Sequence, residues 1–214
     1  MFGVVLGYLF GVLHGMRHAL EPDHVAAVGA MVAEQRSARA SMRFAVAWGA
    51  GHAVTLFLVG GVLFAFRKKM PAGVGDAFEL AVAIMLVALG VRALVSARPN
   101  RPSAHAHAHA PHGWSSTRRP LLVGLVHGLA GSGALAAMVM SELSTLASGL
   151  VFMALYGLGA TCGMAALAGV AGVPLAHLAR KPRVLPALVA TAGVFSMGLG
   201  FVWGAPIVAR FAAG

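Results

Sequence analysis

Between residues 14 and 24 the chain reads His14, Gly15, Met16, Arg17, His18, Ala19, Leu20, Glu21, Pro22, Asp23, His24. Three imidazoles and two carboxylates lie within eleven positions. Such donors suit borderline divalent ions such as Ni²⁺, Co²⁺ or Zn²⁺, and a chain whose only cysteine is Cys162 offers little for metals that prefer soft thiolates. On an ideal helix His14, His18 and Glu21 lie within about 60° of one another, while Asp23 and His24 point elsewhere. Pro22 removes a backbone donor and clashes with the carbonyl of His18. A kink is therefore expected that swings Asp23 and His24 toward the same cavity and frees a carbonyl oxygen for a cation. The plain structural alternative is an ion-pair knot of Arg17 with Glu21 or Asp23.

The surroundings make this polar run costly. It is flanked by the apolar stretches Gly3 to Leu13 and Val25 to Ala33, so it falls near the middle of a membrane-spanning segment. A charged group there costs about 2.5–3.5 kcal/mol even on the mild insertion scale. Across the 214 residues, 59% are hydrophobic and 10% charged, which excludes a soluble enzyme, a disordered chain and a disulfide scaffold. Apolar blocks recur at roughly 2–33, 43–66, 76–96, 120–141, 149–175 and 184–209, each long enough to cross about 30 Å of hydrocarbon as a helix. The expected fold is an all-α membrane protein of six transmembrane helices. The first 13 residues lack a basic n-region, so they read as part of the first helix and not as a cleaved signal peptide.

The net charge of +10 comes from short basic clusters between the blocks, with no interleaved aromatic residues, so nucleic acid is not an expected partner. Connections one, three and five carry ten basic residues, and the opposite side carries four, Arg67, Lys68, Lys69 and Arg210. The positive-inside rule then places the ten in the cytoplasm and both termini outside, in a multi-pass protein of the inner cell membrane. The third connection, 97–119, holds His105, His107, His109 and His112 among alanines and prolines. It reads as a flexible cytoplasmic linker able to capture labile metal but unable to fix a selective geometry.

The linker divides residues 1–96 from residues 120–214, and the two parts resemble each other. Gly11-Val-Leu-His14-Gly15 is echoed by Gly124-Leu-Val-His127-Gly128, and Trp48-Gly49-Ala-Gly51 by Tyr156-Gly157-Leu-Gly159. Three spans per copy force the second copy to cross in the opposite sense, giving two inverted three-helix repeats of the kind found in secondary transporters. His127 thereby becomes the expected partner of His14 across a pseudo-twofold axis. His52, after Gly49 and Gly51, is a further candidate ligand. Glu142 reads as an outer helix end, and Ser132 as a packing residue.

The run Arg17 to Val25 resembles the R-H-A-x-D-A-D-H-I signature of the nickel/cobalt transporter family, with the H-x4-D-H core intact in His18, Asp23 and His24. Ala50-Gly51-His52-Ala53-Val54 resembles that family's second motif, L-G-H-S-x-V. The second half, with Gly124-Leu-Val-His127-Gly128, is closer to the compact urease-accessory nickel permease branch. Glu21-Pro22 departs from the usual Asp-Ala, and the acidic residue expected near Gly128 is missing. The resemblance implies passage of Ni²⁺ or Co²⁺, with His18, Asp23, His24 and His52 needed for it. It leaves open which of the two metals is preferred, and in which direction it moves.

The expected function is therefore uptake of Ni²⁺ or Co²⁺ through a midplane site of His14, His18, Asp23, His24, His52 and His127, with the two halves rocking and with Arg17 or Glu21 tuning local charge. No prosthetic group is expected. A cytoplasmic metallochaperone or a urease or hydrogenase maturation system is the candidate recipient. The alternatives are a metal exporter of the same fold and, from a different class, an intramembrane enzyme using haem or Ser132.

Overall fold

The computed structural model describes residues 2–32, 37–97, 114–178 and 184–213. The histidine-rich tract lies outside them. The described chain is helical throughout: α1 (Phe2–His18), α2 (Pro22–Val32), α3 (Ala38–Thr55), a wide π-helical turn (Leu56–Gly60), α4 (Gly61–Ala65), α5 (Ala72–Ser96), α6 (Trp114–Glu142), α7 (Leu146–Leu178) and α8 (Val184–Ala213). Five rods are long and apolar enough to cross a membrane: Ala38–Ala65, Ala72–Ser96, Thr117–Glu142, Leu146–Pro174 and Val184–Ala213. This is a multi-pass membrane protein. The block expected at 2–33 is not one helix but two, broken between His18 and Pro22.

Glycines set how closely the rods approach, as expected where packing between membrane helices depends on small residues. A Cβ on Gly15 of α1 would strike the carbonyl of Tyr156 on α7, and one on Gly124 of α6 would strike the carbonyl of Trp48 on α3. Gly159 of α7 likewise faces the Val12 carbonyl, and Gly51 of α3 the Leu121 carbonyl. Gly49 lies against Thr161 while Gly157 lies against Ala53; Gly90 meets the Gly193 carbonyl while Gly200 meets the Ala83 carbonyl. Each contact thus has a mate with the two halves exchanged, pairing Gly15 with Gly124, Trp48 with Tyr156, and Gly90 with Gly200. The first of these pairings differs by one helical turn from the one suggested by the sequence echo. It sets His18, not His14, opposite His127.

These contacts also fix relative directions. α3 runs antiparallel to α7, and α5 to α8, because rising numbers on one face falling numbers on the other. α1 runs parallel to α7, since Gly11 meets Phe152 and Gly15 meets Tyr156 and Ala160. The core is built where α3 and α7 cross the others, around Trp48, Ala45, Ala160 and Met164, with a second cluster of Leu56, Phe64, Met153 and Val139. Arg67 donates to the carbonyl of Ser144, so the α4–α5 and α6–α7 connections lie on one face of the molecule.

Candidate metal centre

The break that builds the centre follows from Pro22. A proline is tolerated at the first position of a helix, where an N–H would lack an intrahelical partner, and it stands there in α2. Upstream, the turn tightens. The N–H of Leu20 donates to the Arg17 carbonyl at 2.9 Å and that of Glu21 to the His18 carbonyl at 3.0 Å, and Val25 then donates to the Glu21 carbonyl at 3.0 Å as α2 begins. The His18 carbonyl expected to be freed for a cation is thus already an acceptor. Changing the chain direction here brings Asp23 and His24 round to the side of His18, which a straight helix would not do.

The result is a compact cluster. The Nε2 atoms of His18 and His52 lie 3.2 Å apart, and His18 Nδ1 lies 3.0 Å from Glu21 Oε1. Asp23 Oδ1 accepts from the His24 backbone N–H at 2.9 Å and lies 3.0 Å from His24 Nδ1. Its Oδ2 lies 2.7 Å from His127 Nε2. One donor atom from each of His18, His24 and His52 falls within 4.8 Å of the others, as does one from each of Asp23, His24 and His127, so His24 belongs to both groups. His24 and His52 are 0% exposed and His127 1%.

Buried polar atoms are normally paired. Here His24 Nε2, His52 Nδ1 and His127 Nδ1 are buried without a hydrogen-bond partner among the described residues. Aromatic walls flank the cluster in mirrored fashion: Trp48 lies 5.4 Å from the His127 ring, and its counterpart Tyr156 lies 5.6 Å from the His18 ring. Five of the six expected ligands therefore converge. His14 does not join them. It lies one turn before His18, stacked on Phe10 at 5.4 Å and tilted against Tyr156 at 5.7 Å.

Among the neighbouring residues, Arg17 and Glu21 are both exposed, and Glu21 contacts His18. The described ion pairs of Glu21 and Asp23 are with histidines, not with Arg17. Ser132 is buried and donates to the Leu129 carbonyl at 2.7 Å, a helix-internal bond, and Glu142 is the exposed last residue of α6.

A cavity of about 390 Å³ connects the cluster to the surface. Beyond the histidines its walls include Glu79 of α5 and Trp203 and Arg210 of α8. At its mouth Arg210 makes two bonds to Asp76, at 2.6 and 3.2 Å. Sequence reasoning missed Glu79, although a carboxylate inside an apolar span is the signal that drew attention to Asp23. It also used Trp48 and Tyr156 only as markers of the repeat.

The urease accessory protein UreH of Bacillus sp. (strain TB-90) is 32% identical to this chain over 197 residues, which is 89% of the chain and 86% of that relative. The chain belongs to the UreH family. An alignment of that length takes in most of both halves. No protein-family profile and no solved structure matches the chain.

Proposed function

We propose that this UreH-family protein carries Ni²⁺ or Co²⁺ across the inner membrane and does so as an uptake permease. The observation that carries the reading is the buried set of His18, Asp23, His24, His52 and His127, three of whose ring nitrogens have no partner, at the inner end of an open cavity. Two imidazoles bound at about 2.0–2.1 Å to one tetrahedral ion hold their nitrogens about 3.3–3.4 Å apart, near the 3.2 Å between His18 and His52. The two overlapping groups, sharing His24, offer the ion two adjacent positions. Glu21, 3.0 Å from His18 Nδ1, orients that ring as an outer partner does.

The reciprocal contacts support two inverted three-helix repeats of residues 1–96 and 120–214. Antiparallel packing of α3 with α7 and of α5 with α8 is what a twofold axis in the membrane plane requires, and α1 with α2 supplies the sixth crossing. With the basic connections in the cytoplasm, the termini and the cavity mouth face outward, and the histidine-rich linker, expected over 97–119 but cut short where α6 starts at Trp114, meets the ion after passage. A urease or hydrogenase maturation system, or a metallochaperone serving one, is the recipient, in keeping with the relative being a urease accessory protein.

The enzyme alternatives fit the geometry less well. Ser132 Oγ is engaged by the Leu129 carbonyl and His127 Nε2 by Asp23, so no activated serine is assembled. His18 and His52 nitrogens 3.2 Å apart leave no room for a macrocycle between them. The test is radioactive Ni²⁺ and Co²⁺ accumulation in cells with and without the protein. Asp23→Asn should lower accumulation at least about tenfold at unchanged protein level, since it removes the carboxylate of one group and the partner of both His24 and His127. Undiminished accumulation sinks the assignment, and net loss of metal from expressing cells makes the protein an exporter.

A further inference from the structure

The helices sort into two bodies that do not follow the sequence halves. α5 and α8 pack on each other along their length, while α1, α3, α6 and α7 form the other body with α3 against both α6 and α7. α2 lies between, touching α5, α7 and α8, and α5 also packs on α6, the face over which the two bodies meet directly. The ligands come from α1–α2, α3 and α6, and the α5–α8 pair closes over them. Within that pair the backbones meet directly at Gly90, Gly193 and Gly200, so the two helices have little freedom relative to each other.

The pair's two ends are not in the same state. At one end Glu79, Val202 and Trp203 line the open cavity. At the other end Ala93 and Val189 are buried against Ala30 of α2, with Leu89, Ala97 and Leu185 packed around them. Under the pairing of Gly90 with Gly200, Val189 is the counterpart of Glu79 and Ala93 is the counterpart of Trp203. The same surface of the pair is therefore open at one end and sealed at the other. Between the ends, Ser196 Oγ donates to the Leu86 carbonyl at 2.8 Å, and these two residues are counterparts of each other, which puts the bond on the pseudo-twofold axis.

We propose that α5 and α8 move as one arm, tilting about the level of Leu86 and Ser196 against the body formed by α1, α3, α6 and α7, so that the histidine cluster is opened to one face and then to the other. This rests on the transport reading above and replaces a rocking of the two sequence halves. Tilting the arm closes the cavity over Glu79 and Trp203 and parts Ala30 from Ala93 and Val189. The seal suits such a cycle, being a small apolar cluster of Ala30, Ala93 and Val189, whereas the glycine-packed interior of the arm stays intact. The ion is passed without exchange of contacts inside either body.

The test uses the full-length protein in intact cells with Cys162→Ser, which removes the single native thiol. Ala30→Cys with Val189→Cys, oxidised with copper phenanthroline, pins the sealed end. Ni²⁺ accumulation is expected to fall at least tenfold on oxidation and to return with reductant, while each single variant is indifferent to oxidant. Complete cross-linking with unchanged accumulation overturns the arm. A second measurement needs no transport: in protein that also carries Val202→Cys, a membrane-impermeant thiol reagent added from outside after the cross-link has formed labels position 202 faster than in the uncross-linked protein, because every molecule is held open to that side. Equal labelling rates overturn the arm as well. Reduced protein that accumulates no metal although its labelling responds to the cross-link instead defeats the transport reading and leaves the motion standing.

Discussion

α1–α2 and α6 dock on the rest of the molecule in the same way, yet one is broken and the other is continuous. Gly15 presses on the backbone of α7 as Gly124 presses on that of α3, and His18 and His127 hold equivalent places beside Tyr156 and Trp48. After that point the two diverge. α1 stops at His18 and restarts at Pro22, turning Asp23 and His24 inward, whereas α6 runs on through Gly131 and Ser132. Packing and ligation are thus separable demands. The shared glycines hold the frame in both halves, and the break brings in Asp23 and His24 from one half only, so an asymmetric histidine–aspartate cluster is built on reciprocal helix contacts.

The strongest way to break the comparison is to attack what the two rods share. A methyl group on either Gly15 or Gly124 meets a backbone carbonyl that cannot step aside, so Gly15→Ala and Gly124→Ala should both prevent close packing. Overpacking costs about 1–3 kcal/mol even where side chains can adjust. Loss of folded protein, read as thermal stability of the detergent-solubilised chain, should be large and of similar size for the two. If only one of the pair is sensitive, the rods are not docked equivalently.

What they do not share is sharpened by Pro22→Ala. Restoring a backbone donor favours a continuous helix, which costs about 3 kcal/mol less with Ala than with Pro in a helix interior. Asp23 and His24 then turn away from His18. Ni²⁺ accumulation should drop about tenfold, as when a metal's supporting residues are displaced, while thermal stability holds or rises. Activity retained together with stability would mean that the break does not position the ligands.

How far the sequence reads the molecule follows the same division. The polar run is legible because charges in an apolar segment are conspicuous, and the break at Pro22 is legible because it needs only local backbone chemistry. The register of the repeat is not. Gly11 and Gly15 recur with the spacing of Gly124 and Gly128, so two alignments one turn apart fit equally well, and only the contacts with α3 and α7 select the one that pairs His18 with His127. His14 is lost from the centre for that reason. The assignment of α5 and α8 to one body is likewise invisible, since their glycines look like those of any membrane helix until the partner backbone is in place.

Glu79 and Val189 are the smallest of these contrasts and the last to be tested. They are counterparts on the α5–α8 pair, one lining the open cavity and one buried in the seal. On the proposed transport reading, a carboxylate at the open position lies on the route of a cation from the mouth to His24. It acts there by raising the local cation concentration and not by ligating, because the groups close enough to share an ion are the histidines and Asp23. Glu79→Gln should therefore raise the half-saturating metal concentration about two- to fivefold, leave the maximal rate unchanged, and weaken the dependence of uptake on ionic strength. A fall in maximal rate at unaltered half-saturation would instead make Glu79 part of the moving contact, and the two ends of the arm would then differ in mechanism as well as in state.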